Sequence, residues 1–226
     1  MITLSAVEAY QLWAPCYDAA DNPVLALEER VLLPKIEELR GKHVMDLGCG
    51  TGRWLRYAAE CGAASLLGVD ISPAMLSVAQ RQCPPQVELI CADVLSPLLK
   101  SASADVLAAS FLLSYVPSLD AFVAQAARLL RTGGRLLISD LHPRARAHGW
   151  RSGFSVEGSS YSIHTYSYSL DSLREGLYGA GLVQEFCKEP CFGRPERAIF
   201  ERAGREDMFD ITSQQPAIFV AGFAKK

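Results

Sequence analysis

Val44-Met45-Asp46-Leu47-Gly48-Cys49-Gly50-Thr51-Gly52 runs an apolar strand into an acid and then into three glycines at alternate positions. The spacing is G-x-G-x-G, and Arg53 follows it. A dinucleotide-binding G-x-G-x-x-G beginning at Gly48 requires glycine at position 53, where this chain has arginine. Glycine admits positive φ and lets a ligand approach the main chain where a Cβ would clash. Asp46 sets a negative charge just before the turn, where a pyrophosphate would otherwise pass. The loop therefore suits a cationic adenosine derivative without phosphates better than it suits NAD.

Working outward, Leu66-Leu67-Gly68-Val69-Asp70 reads as a second strand ending in an acid, 22 residues after Gly48. In nucleotide-binding α/β folds an acid at that distance hydrogen-bonds ribose hydroxyls. Val87-Glu88-Leu89-Ile90-Cys91-Ala92-Asp93 is a third strand with a terminal acid, suited to an adenine amino group. Together these features point to S-adenosylmethionine, with S-adenosylhomocysteine as its product. The segments DLGCGTG (46–52), GVDISPAML (68–76), CADV (91–94), DVLAASFLLSYVP (105–117) and LLRTGGRLLISD (129–140) resemble the class I S-adenosylmethionine-dependent methyltransferases. Within that class the chain is most similar to the small-molecule enzymes typified by ubiquinone and menaquinone biosynthesis methyltransferases. The likeness is strong over residues 40–141 and loose on either side. It implies an α/β, Rossmann-like fold with a seven-stranded, mostly parallel sheet and an N-terminal helical cap. It also implies methyl transfer from S-adenosylmethionine to a small, aromatic or heterocyclic acceptor.

At 226 residues, one α/β domain with a small elaboration is expected. Its parts are a helical cap (1–40), a cofactor-binding core (41–141), a substrate-side insertion (142–169), and C-terminal strands and helix (170–226). The net charge of −3 gives no general electrostatic reason to bind nucleic acid or an anionic membrane. No apolar run is long enough to span a bilayer, and Met1–Glu8 lack the basic, apolar organisation of a signal peptide. A cytoplasmic monomer or homodimer is the expectation. The seven cysteines form no C-x-x-C and read as buried free thiols. Cys187 and Cys191 have no histidine nearby in sequence, so no metal site is expected.

Residues 5–40 read as helical, with Asn22 and Pro23 as cap and first turn of a helix that Pro34 breaks. Strand signals near 43–47, 65–69, 87–91, 105–110 and 134–139 alternate with helical ones near 52–61, 73–82 and 119–130. Such alternation with apolar strands predicts a parallel sheet covered on both faces, with ligands outside the strands' carboxyl ends. Residues 142–169 lack a helical period and read as a long connection or short hairpin, ordered by the aromatics between Phe154 and Tyr168. A helix over Asp171–Ala180 closed by Gly181, a strand over Leu182–Cys187 and an antiparallel strand over Pro216–Phe223 follow, with 188–215 unassigned.

Methyl transfer from a sulfonium is an in-line displacement in which the protein aligns the partners and excludes water; a base is needed only when the nucleophile must lose a proton. Gly48, Gly50, Gly52, Asp46, Asp70 and Asp93 are therefore assigned to the cofactor. The resemblance adds Ile71 and Val94 flanking adenine, Met75 near it, and Ser110 or Phe111 at the methionine end. Arg53 reads as a solvent-facing residue of the first helix. His142, in Asp140-Leu141-His142-Pro143 after the fifth strand, is the leading base, its backbone biased to extended by the proline. The competing reading is a loop histidine bonded to a nearby carboxylate such as Asp140. His164, in an alternating stretch with 162 and 166 on one face, is a second catalytic candidate against structural packing. His43 and His148 receive no role. Many relatives carry histidine where this chain has Ser114, which leaves Tyr115 as the substrate-side residue there. Tyr10, Trp13 and Tyr17 lie on the segment that closes over the cofactor in many relatives. Aromatics there can cage a sulfonium at about 0.5–2 kcal/mol each, and Tyr17 is the foremost of them. Trp150 and Phe154 are expected to wall the acceptor.

Two other functions compete. A protein or RNA methyltransferase is disfavoured by the absence of a basic surface and of an Asn/Asp-Pro-Pro-Tyr/Phe/Trp motif after the fourth strand. A non-catalytic cofactor-binding module acting through a protein partner is kept open by the serine at 114.

Overall fold

A computed structural model describes residues 2–19, 21–147, 149–156 and 158–226, which leaves His148 outside the described residues. The chain opens with a short strand, β1 (Ile2–Leu4), rather than directly with a helix. Ser5 then caps α1 (Ala6–Trp13) in a reciprocal box with Glu8, and a 3-10 turn spans Ala14–Cys16. Helix α2 (Pro23–Leu32) begins as its sequence requires: the Asn22 side chain accepts from the Val24 N–H, and Pro23 occupies the first turn. At Pro34 the chain tightens into 3-10 geometry over Leu33–Leu39.

The core then alternates: β2 (His43–Leu47), α3 (Arg53–Glu60), β3 (Ser65–Asp70), α4 (Pro73–Gln82), β4 (Val87–Cys91), β5 (Ala104–Ser110), α5 (Leu119–Leu129) and β6 (Leu130–Leu141). A short helix α6 (Pro143–Ala147) and a hairpin, β7 (Gly153–Val156) with β8 (Ser159–Ile163), form the insertion. Helix α7 (Leu170–Gly179), β9 (Leu182–Lys188), α8 (Arg194–Arg202), α9 (Glu206–Thr212) and β10 (Ile218–Lys225) complete the chain. The unassigned stretch 188–215 thus holds two short helices. Their polar composition hides an apolar seam in which Phe200 stands 5.2 Å from Phe192 and 5.7 Å from Phe209, ring centre to ring centre.

The main sheet has the order β4-β3-β2-β5-β6-β10-β9, parallel except for β10, which runs antiparallel to both neighbours. One face buries Leu107, Phe122, Leu129, Leu136 and Leu177, all fully enclosed, and the other packs against α2 and α3 through Leu27, Leu55 and Trp54. Truncating any of these leucines to alanine costs about 2–5 kcal/mol, which fixes the strand ends on which the site is built.

A second sheet has the order β1-β8-β7. Strand β1 pairs parallel to β8, Ile2 opposite Tyr161 and Leu4 opposite Ile163. The helical cap and the insertion are therefore one layer, held by a small core of Ala9, Phe154 and Ile163. Among the described residues no helix is long and apolar enough to cross a membrane. The cysteines are free thiols as expected, but only Cys49 and Cys61 are buried, and Cys16 and Cys91 are exposed.

Candidate active site

The site begins at the carboxyl ends of β2 and β3. Backbone N–H groups of Gly48 and Cys49 both donate to the Val69 carbonyl, at 2.7 and 3.1 Å, which folds the glycine loop back onto β3. Gly50 has φ +54° and donates its N–H to Asp70 Oδ2 at 2.8 Å. A Cβ built on Gly50 meets nothing within 4 Å, so this backbone faces open space. Asp70 Oδ1 accepts from the Ser72 N–H at 2.8 Å, tying the loop to the start of α4. Burial pushes the Asp70 carboxyl up, while the N–H groups of Ser72 and Gly50 pull it back.

Beside this loop lies a cavity of about 250 Å³. Asp46, Gly48, Gly50, Asp70, Ile71, Met75, Asp93, Val94 and Ser110 all line it. So do Tyr17 and Tyr115. Gly52 does not. At φ +82° it precedes α3, and a Cβ there would collide with Cys83 Sγ, so its missing side chain lets α3 approach α4 rather than a ligand. Asp46 is buried, and its Oδ1 has no hydrogen-bond partner among the described residues. Its carboxyl is pushed up to about 8, chiefly by burial, with Glu28 and Asp70 adding to the shift and Arg53 opposing it. A partnerless buried oxygen on a cavity wall fits a ligand that brings a donor or a cation.

Neither predicted base reaches the cavity. His142 is buried with Nε2 2.9 Å from Glu189 Oε2, and its Nδ1 accepts the Arg144 N–H at 3.1 Å. Both ring nitrogens are thus engaged away from the site, through Glu189 rather than Asp140. Asp140 instead accepts from the Ser114 N–H at 2.7 Å and from Arg146 at 3.1 Å. His164 is exposed: its neighbour Ile163 takes the inward side of the strand, which turns His164 outward against Tyr166. Neither expected wall residue lines the cavity. Trp150 packs on Phe192 at 5.5 Å, and Phe154 stacks on Trp13 at 4.8 Å, so Trp13 and Phe154 form the second layer.

Arg53 is not solvent-facing. Its guanidinium donates to Glu28, to Glu29 at 3.0 Å and to Ser110 at 3.2 Å, and lies 4.8 Å from the Trp54 ring. Glu28, fully enclosed, also receives Trp54 Nε1 at 3.2 Å, Ser110 Oγ at 3.0 Å and Ser139 Oγ. The sequence did carry a signal for this hub: Glu28 falls in the apolar stripe of α2, between Val24, Leu25 and Leu32. Phe111, which also lines the cavity, has φ +50°, a strained conformation for a bulky residue. Tyr10 completes the wall, its hydroxyl donating to Tyr115 Oη at 2.9 Å.

Residues 44–134 match the family described as Methyltransferase domain. The chain is 33% identical over 204 residues to an uncharacterised methyltransferase of Emericella nidulans, covering 74% of this chain and 71% of that one. It is 30% identical over 183 residues to the ubiquinone biosynthesis O-methyltransferase of Coxiella burnetii, covering 78% and 74% of the two chains. In fold it is similar to an S-adenosylmethionine-dependent methyltransferase from Mesorhizobium loti, with a TM-score of 0.68 at 22% identity, over 86% of this chain and 97% of that one. The motif, the sheet order and these relatives agree: the chain belongs to the S-adenosylmethionine-dependent methyltransferases of class I and is an enzyme of that family.

Proposed function

We propose that this cavity binds S-adenosylmethionine and that its methyl group passes to a small aromatic or heterocyclic acceptor. The observation that carries the reading is Asp46 Oδ1, a buried carboxylate oxygen without a partner, beside a glycine whose missing Cβ leaves space for a ligand. A methionine ammonium is the cation that such an oxygen suits. Asp70 keeps free lone pairs for ribose hydroxyls beyond the two N–H groups it already accepts. Ile71, Met75 and Val94 offer apolar walls for adenine, with Asp93 for its amino group, and Tyr17 and Ser110 stand at the methionine end.

The bound cofactor supplies an activated methyl on a sulfonium. The protein's part is alignment and exclusion of water, and the apolar lining serves both. The whole chain acts as one methyltransferase domain in which residues 1–40 cap the core and 142–169 back the acceptor side. Its net charge of −3 supports a small-molecule acceptor over nucleic acid.

Calorimetric titration with S-adenosylmethionine and S-adenosylhomocysteine tests this. The expected result is micromolar binding, weakened at least about tenfold in Asp70→Ala and Asp46→Asn. A folded wild type that binds neither compound overturns the reading.

A further inference from the structure

The tyrosines on the cavity wall go beyond what cofactor binding uses. Tyr10 contacts both others edge-on, with ring centres 5.6 Å from Tyr115 at 80° and 6.1 Å from Tyr17 at 62°. The Tyr115 oxygen receives the Tyr10 O–H at 2.9 Å. With Tyr10 donating to that oxygen, the hydrogen of Tyr115 is the one the pair has left to give to a ligand.

A census of the wall narrows the chemistry. Among the described residues lining the cavity, the titratable side chains are the three tyrosines, the three aspartates, Cys49 and Arg53. Burial pushes Tyr10, Tyr17, Tyr115 and Cys49 up, so all four keep their protons at neutral pH. The aspartates belong to the cofactor in the reading above. Arg53 is held by Glu28 and Glu29. A hydroxyl acceptor would find no group to take its proton, and an anionic acceptor would find carboxylates and no unpaired cation. A neutral nitrogen needs neither.

We propose that the acceptor is a neutral nitrogen base and that Tyr115 selects it, its O–H gripping a lone pair beside the attacking nitrogen, with Tyr10 as the positioning residue. The proposal rests on the methyl-transfer reading. In the step, the nitrogen lone pair forms the N–CH₃ bond. The S–CH₃ bond breaks with its electron pair going to sulfur, and neutral S-adenosylhomocysteine results. The ammonium product, cationic among carboxylates and phenols, gives any surplus proton to water after release.

The test uses the full chain. Wild type, Tyr115→Phe and Tyr10→Phe are loaded with S-adenosylhomocysteine and titrated with matched heteroaromatic amines, phenols and carboxylates. Amines should bind best. Tyr115→Phe should weaken them about tenfold and Tyr10→Phe less, through KM rather than kcat, with S-adenosylhomocysteine affinity unchanged. At saturating S-adenosylmethionine, turnover of amines with pKa values from about 5 to about 9 should show an acid limb of kcat/KM for the amine that moves with the amine's own pKa. A limb fixed at one pH across the series, phenols preferred over amines, or wild-type behaviour of Tyr115→Phe each overturns the proposal. Failure of wild type to bind S-adenosylhomocysteine would sink the methyl-transfer reading instead. The acceptor series runs on wild type, so a variant that does not fold leaves the test intact.

Discussion

Asp46 is a carboxylate placed where its charge is costly until a ligand arrives. With its pKa pushed up to about 8 by burial, it is mostly protonated at neutral pH in the ligand-free protein. A cation docked beside Oδ1 favours the ionised form, so binding below about pH 8 must release a proton. Affinity for S-adenosylmethionine should therefore rise with pH until about 8 and level off above it, and Asp46→Asn should flatten that slope. Calorimetry in two buffers of different ionisation enthalpy counts the proton directly. The same shift has a signed consequence for stability. Because the folded pKa lies above the unfolded one, the contribution of Asp46 is complete below about pH 4 and is lost as pH rises towards 8. The motif placed Asp46 beside the glycine loop, where it lines the cavity. Its missing partner was not legible, because a lone oxygen is a property of everything packed around it.

Elements explain why one glycine of the motif stands off the cavity. In sequence Gly52 is indistinguishable from Gly48 and Gly50, and only the crossing of α3 over the end of α4 reveals that it separates two helices. Gly52→Ala should cost about 2 kcal/mol in chemical denaturation, from strain at φ +82° together with the collision against Cys83. Adding Cys83→Ala should recover the collision and leave the strain. A single variant as stable as wild type would show that α3 and α4 separate freely. The strands and helices of residues 43–141 were readable because each announces itself locally through apolar runs, caps and glycines. Glu28 showed only as an acid in an apolar stripe; its partners were not readable, since it joins α2 to α3, β5 and β6 across 82 to 111 residues of sequence for the two serines. The engagement of His142 was unreadable for the same reason: its partner Glu189 lies 47 residues on.

At the scale of the whole molecule, the N-terminal segment and the β7–β8 hairpin pack as one layer. Ser5, Val7, Tyr10 and Tyr17 line the cavity, and Asp18 joins the segment to Thr51 at 3.2 Å and to Gln82 at 3.1 Å. A ligand enclosed there should stiffen both pieces together. Saturation with S-adenosylhomocysteine at about 100 times its Kd should stabilise the fold by about 2.7 kcal/mol, or about 5–10 °C in Tm. Hydrogen exchange should slow over residues 2–17 and 153–164 in parallel. A rise in Tm with exchange unchanged in those segments would separate that layer from the ligand. The sequence hinted at both pieces, through aromatics in each, but no local signal announces a parallel pairing between residues 159 apart.

That pairing also sets a timetable. On a ribosome, Leu4 emerges long before Ile163, the residue it must lie beside. At translation rates of about 5–20 residues per second the first strand waits on the order of ten seconds or more for its neighbour. During that interval β2 to β6 are made, so before Ile163 arrives the nascent enzyme passes through a stage with its glycine loop built and its roof still missing.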